Sequence, residues 1–219
     1  MPHVVAAAVL SVLLVWDPEI FHATRGFRAP FLDWLTDRIG QLRGATLPAV
    51  IALLLMAAGL FVRRRRIRRA GAAMLLTVLL AGLVTIAMKE LIGRPGPDPD
   101  KILPGESWFD ARYGRFPSTH AAVVFGAASS LAAFFPPATV PAFTMAVLVG
   151  FERIYRGTHF PSDVFAGIWI GLVVARFVIA RLSRRGWSED IPRRRRASES
   201  TVHAWAPDER RTRDEEPAA

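Results

Sequence analysis

Two short clusters in the second half of this 219-residue chain carry side chains able to do chemistry. One is Phe116-Pro117-Ser118-Thr119-His120. The other runs from Arg153 through His159 to Asp163 (R-I-Y-R-G-T-H-F-P-S-D). Each sets a histidine among polar groups at the edge of a long apolar segment, where hydrophobicity alone would not put it. His159 and Asp163 are four residues apart, and Pro161 between them is a favoured first residue of a helix. A helix that starts there carries Asp163 in its first turn, within reach of the imidazole. A carboxylate on one ring nitrogen fixes the tautomer and leaves the other nitrogen free to attack. His120 is then available as a separate acid or base. Lys89, Arg94 and Arg153 supply cations. Ser118 and Thr119 supply hydroxyls and backbone N–H groups at a helix start, a natural seat for an anion. Together these are parts for binding a phosphoryl group and stabilising its charge during transfer. His120, His159 and Asp163 also have metal-ligand chemistry, although the surrounding arginines would repel a metal ion. Taken singly, each residue also has a plain structural reading: an interfacial histidine, a snorkelling lysine, an ion network at a membrane edge.

The elements that must position these groups are membrane helices. Hydrophobic residues make up 52% of the chain, cysteine is absent, and the formal net charge is +9. The missing cysteines exclude disulfide staples, thiol nucleophiles and thiolate metal sites. Arginine is concentrated in Arg63 to Arg69 and in the stretch from Arg181 to Arg196. Basic blocks beside apolar spans mark cytoplasmic loops and contacts with anionic lipid rather than nucleic-acid binding. His3 to Trp16 reads as a short first helix, below the usual span length. Asp17 to Gly44 has apolar residues at near-helical spacing among charges, as in an amphipathic helix on a membrane surface. Five clearer spans follow at Ala45–Val62, Ala70–Leu91, Ser118–Phe135, Ala138–Tyr155 and Pro161–Leu182. Their frequent glycines point to close helix packing. With the Arg63–Arg69 block inside, the chain passes outward, inward, outward and inward, and the second basic block also lands inside. Lys89, His120, Arg153, His159 and Asp163 then share one membrane face. After Arg196 the tail is polar, charged and aperiodic, the composition of a disordered segment.

The polar set resembles the three-part signature of the type-2 phosphatidic acid phosphatase superfamily, whose soluble relatives include vanadium haloperoxidases. That signature reads K-x6-R-P, then P-S-G-H, then S-R-x5-H-x3-D. Arg153, His159 and Asp163 match the spacing of the third part, and Pro117-Ser118-Thr119-His120 matches the second with Thr for Gly. The resemblance covers roughly Ala70 to Leu182. Six residues after Lys89 the chain has Gly96-Pro97 instead of Arg-Pro, while Arg94-Pro95 stands two residues earlier. Glu152 takes the place of the serine before Arg153. The resemblance implies that His159 is a nucleophile forming a phosphohistidine, that Asp163 orients it, and that His120 protonates the leaving group. It assigns the nonbridging oxygens to Lys89, Arg153 and, here, Arg94, with Ser118 and Thr119 assisting. It implies that no metal or other cofactor is needed.

The sequence is therefore expected to fold as an all-α polytopic membrane bundle of about six transmembrane helices with an N-terminal surface helix. Residues 1–44 form the N-terminal segment, 45–182 the membrane core and 183–219 a basic, then disordered, cytoplasmic tail. The expected function is hydrolysis of a lipid phosphate monoester or diphosphate, such as a polyprenyl diphosphate (undecaprenyl diphosphate among them), phosphatidate or phosphatidylglycerol phosphate. The partners are the lipid substrate and the bilayer, with no nucleic acid, and the site faces the extracytoplasmic side of the cell membrane. A lipid phosphotransferase and an inactive lipid-phosphate-binding relative are the alternatives.

Overall fold

In a bilayer, long apolar runs can satisfy their backbone groups internally only as helices or closed barrels, and the Ala/Leu-rich runs of this chain choose helices. The computed structural model describes residues 1–41, 46–97 and 114–192, and all regular structure among them is helical. In chain order the helices are α1 (Pro2–Gly26), α2 (Pro30–Gln41), α3 (Leu47–Phe61), α4 (Arg65–Ile92), α5 (Thr119–Phe134), α6 (Thr139–Tyr155) and α7 (Pro161–Leu182). Pro2–Gly26, Arg65–Ile92 and the continuous stretch Pro161–Asp190 are long and apolar enough to cross a membrane, and α3 and α5 are apolar but shorter. Large apolar side chains such as Leu53, Leu54, Leu79, Leu83, Val147 and Phe177 stand exposed on the outer helix faces, the arrangement of a bundle solvated by lipid.

Three expectations need correction. The first helix does not stop at Trp16: it continues through Asp17 and Pro18 to Gly26, 25 residues in all. A proline inside a helix removes one hydrogen bond, and Asp17 is buried against polar partners described below, so neither residue ends it. Only Pro30–Gln41 remains as the separate amphipathic helix. It presents exposed Phe31 and Trp34 on one side and buried Thr36 and Ile39 on the other. Second, most of the Arg63–Arg69 block is not a loop. The turn needs little more than Arg63 and Arg64, and Arg65 opens α4. Third, the segment after α7 does not leave the bundle at once, because Trp187 and Ile191 pack back against Ala70, Ala73 and Phe134. The rest of the expected tail, 193–219, and most of the expected loop between α4 and α5 lie outside the described residues.

Helix α5 sits in the middle, packed by α4, α6 and α7, and is buried almost all round over Ala121–Ala128. Its contact with α7 is close because α7 carries glycines there. A Cβ on Gly167 would lie 2.3 Å from the Ser118 carbonyl oxygen, and one on Gly171 would lie 2.2 Å from that of Ala122. Small residues permit this backbone approach between membrane helices. Between α4 and α5, Thr77 and Ser130 share a buried hydrogen bond of 2.8 Å.

The bundle has two chemically distinct ends. At one, Arg66 donates to the Phe134 carbonyl at the C-terminus of α5, where the helix dipole favours a cation. Arg69 lies 2.5 Å from Asp190 and stacks over Trp187. Lys89 is 20 residues further along α4, about 30 Å at 1.5 Å per residue, which is close to the thickness of a hydrocarbon core. The candidate site is at that second end.

Candidate active site

The site is assembled from the ends of four helices and one internal turn of α1. Helix α4 stops at Gly93, whose left-handed backbone (φ 58) returns its N–H to the Lys89 carbonyl, a common helix C-terminus that suits glycine. The chain then runs through Arg94 to Pro97. It is joined to the segment leading into α5 by the Arg115 N–H bonding to the Arg94 carbonyl at 3.1 Å. Lys89 extends along Gly114 and donates from Nζ to its carbonyl.

The start of α5 is tied to the start of α7. Ser118 donates its N–H to the Asp163 carbonyl at 2.9 Å, and its Oγ loosely caps α5, 3.5 Å from the Ala121 nitrogen. Ser118 is fully buried, while Thr119 and His120 are only partly so. At the end of α6, the Arg153 carbonyl accepts from the backbone of Thr158 (3.1 Å) and His159 (3.2 Å) and from the Thr158 hydroxyl (2.9 Å). These bonds fold the turn that carries His159 back over the helix end. Pro161 begins α7 as expected, and the Asp163 side chain caps it by accepting the Phe160 N–H at 2.9 Å.

His159 and Asp163 do meet. Nδ1 of His159 lies 3.5 Å from Oδ2 of Asp163, and that nitrogen is buried with no hydrogen-bond partner. At this separation the contact is electrostatic rather than a formed hydrogen bond. Burial, the larger effect, pushes the His159 imidazole below its ordinary pKa. Asp163 opposes that shift, and the charges of Lys89 and Arg115 add to it. Burial thus favours the neutral imidazole over the charged one. His120 lies within Coulomb range of Arg153, His159 and Lys89, so all three signature segments contribute to one cluster.

Arg94 reaches the cluster, but its donors point to acids. Nη1 donates to Asp163 Oδ1 and to Ser162 Oγ, both at 2.7 Å, and Nη2 donates to Asp17 Oδ2 at 2.8 Å. Its guanidinium also lies over the Phe160 ring, 4.6 Å from the centroid. In this structure the Arg94 guanidinium is directed at Asp163, Ser162 and Asp17. Arg153 is likewise engaged: its Nε donates to the buried Glu152.

Two residues escaped sequence reasoning. Asp17 of α1 is 1% exposed and accepts from Ser162 N at 3.0 Å and from Ser162 Oγ, besides its pairing with Arg94. The signal was available, since an aspartate inside an apolar run is a functional candidate by the rule that selected the histidines. Arg115 packs on Gly96: a Cβ there would lie 3.1 Å from its Cγ and 3.2 Å from its Nε. That Nε is buried and has no hydrogen-bond partner among the described residues. Among the described residues, no three His, Cys, Asp or Glu side chains form a group suited to holding a metal ion.

Comparison with known proteins identifies the family. A family model described as the PAP2 superfamily matches residues 70–187. Lipid A 1-phosphatase of Rhizobium johnstonii is 33% identical over 135 residues, covering 53% of this chain and 53% of that protein. The chain thus spans about half the length of this relative. Phosphatidylglycerophosphatase B of Bacillus subtilis is 31% identical over 192 residues, covering 81% of this chain and 85% of the relative. Among solved structures, Aquifex aeolicus LpxE aligns with a TM-score of 0.58 at 26% identity, covering 75% of this chain and 94% of that one. The PAP2-type phosphatidylglycerolphosphate phosphatase from Bacillus subtilis aligns with a TM-score of 0.63 at 29% identity, covering 88% and 94%. On the matched segment, the motif order and these relatives together, this chain is a membrane protein belonging to the PAP2, or type-2 phosphatidic acid phosphatase, superfamily.

Proposed function

We propose that the protein is an integral-membrane phosphatase that removes phosphate from a lipid monoester or diphosphate through a phosphohistidine at His159. The observation that carries this reading is the buried His159 beside Asp163, in a cluster that also holds Lys89, His120 and Arg153. In the first step the free ring nitrogen of His159 attacks phosphorus. The bond to the leaving oxygen breaks as His120 gives that oxygen a proton. In the second step His120 takes a proton from water, the water oxygen attacks phosphorus, and the phosphorus–nitrogen bond breaks to release phosphate. Lys89 and Arg153 stabilise charge on the nonbridging oxygens, with the backbone N–H of Thr119 beside them at the helix start; the Ser118 N–H is engaged by the Asp163 carbonyl. Asp163, held by Arg94, orients the imidazole.

The surroundings suit a lipid. An apolar cavity of about 280 Å³ lies between α1, α4 and α7, lined by Leu10, Met88, Phe116, Phe165 and Trp169 among others. Met88 is adjacent to Lys89, and Phe116 precedes the second motif, so a chain in this cavity would place its headgroup at the cluster. A polar cavity of about 380 Å³ reaches Arg153 from the side of α2. The relatives point to phosphatidylglycerol phosphate and to a 1-phosphorylated lipid A as substrates to set beside phosphatidate and undecaprenyl diphosphate. The basic blocks at the opposite end of the bundle favour a cytoplasmic position for that end, and this supports a site that opens extracytoplasmically.

Phosphate release by purified protein in detergent with EDTA, across these four lipids, tests the reading. Release from at least one lipid, lost in His159→Ala, is the expected result. A folded protein inactive on all four would favour a lipid-phosphate-binding role instead.

A further inference from the structure

Resting on that phosphatase reading, we propose that Arg115 is a phosphate-binding residue that takes over the place left by Gly96. The signature position six residues after Lys89 is Gly96, which has no side chain to offer an anion. Arg94, the nearest arginine in sequence, is committed to Asp17, Ser162 and Asp163. Arg115 occupies the space a side chain at position 96 would enter, with Cγ, Nε and Cδ at 3.1, 3.2 and 3.5 Å from the Gly96 Cβ position. The bond between Arg115 N–H and the Arg94 carbonyl fixes the two segments side by side. The Arg115 charge is felt at both Lys89 and His159, so its guanidinium lies in the field of the reacting group. Its Nε is buried with no partner among the described residues. A buried guanidinium N–H without an acceptor is costly, and a phosphate oxygen supplies the strong, charge-assisted acceptor it lacks. The arginine that the signature carries before α5 begins has in effect moved to the other segment flanking the site. This also explains why Gly96 is small: any larger residue would crowd Arg115.

The test separates Arg115 from the phosphatase reading by using orthovanadate as an anion probe, read by thermal stabilisation of the full-length protein in detergent. Wild-type protein should be stabilised by vanadate. Arg115→Gln, close to arginine in shape at its base, and Arg115→Ala should both need about 30-fold more vanadate for half the effect. Moving the group back, in Gly96→Arg combined with Arg115→Ala, should recover most of that loss. Gly96 has no positive φ, so its backbone accepts an arginine. Wild-type affinity in both Arg115 variants would overturn the assignment. So would a double variant that keeps the wild-type melting temperature but not the affinity. Wild-type protein that binds no vanadate at all would instead sink the phosphatase reading on which the assignment rests.

Discussion

Asp17 Oδ2 stands 2.8 Å from Arg94 Nη2, joining residues 77 positions apart, and the same guanidinium reaches Asp163 at 2.7 Å. Helix α1 is therefore part of the catalytic frame rather than an appendage. Its buried carboxylate neutralises the arginine that holds the carboxylate facing His159. A chain of charge alternation, acid to base to acid to imidazole, runs from α1 through the end of α4 to the start of α7.

Removing the first member should loosen the rest. Losing one partner of a buried ion pair costs up to about 3 kcal/mol, moderated here because Arg94 keeps its pairing with Asp163. Asp17→Ala should lower thermal stability by an amount of that order and reduce kcat, because Arg94 and Ser162 lose their anchor. Asp17→Asn, which keeps one acceptor for the Ser162 N–H, should retain more of both. Melting curves and initial rates for the two variants check this. A wild-type rate in Asp17→Ala would show that α1 has no part in positioning Asp163.

The approach of α5 to α7 gives a contrast between glycines. Gly171→Ala places a methyl 2.2 Å from the Ala122 carbonyl oxygen, whereas nothing lies within 4 Å of a methyl on Gly82. Overpacking of this kind costs about 1–3 kcal/mol. Gly171→Ala should thus destabilise the protein and depress activity by shifting Ser118 from Asp163, while Gly82→Ala should be neutral. Equal melting temperatures for the two would contradict the packing described.

Proton linkage at His159 has a definite sign. Burial lowers its folded-state pKa below the ordinary 6.5. Between the folded value and 6.5 the unfolded chain binds more protons, so stability contributed by the neutral imidazole is present above 6.5 and lost as pH falls through that window. The melting temperature of wild-type protein should fall more steeply below pH 6.5 than that of His159→Gln. The acid limb that His159 imposes on kcat/KM should lie below 6.5 as well. A limb centred above 6.5 would mean the imidazole is charged in the resting site.

Much of this was legible in the sequence because it depends on local chemistry. Pro161 starts α7, α5 ends at Phe134, one residue before the expected Phe135, and Arg153, His159 and Asp163 have the spacing of one turn and a helix start. The remainder depends on distant contacts. Nothing near Asp17 shows that Ser162 and Arg94 will surround it, so the polar residues after Trp16 resemble the end of a helix when they lie inside one. The spacing alone does not show that Arg94 reaches Asp17, Ser162 and Asp163. Arg115 gives no local signal, and the hint was the missing side chain at Gly96. The Arg65–Arg69 run looks like a loop by charge alone, but arginine is a good helix former, and Phe134 and Asp190 supply the acceptors that keep it folded.

The central claim is that phosphate passes through a covalent bond to His159. Rapid acid-free quenching during turnover on the best lipid substrate, with EDTA present, followed by peptide mass spectrometry, reads this directly. The account predicts phosphate on the peptide containing His159 in the wild type and none in His159→Ala. Turnover that persists in His159→Ala, or a phosphoenzyme located on another residue, would contradict it.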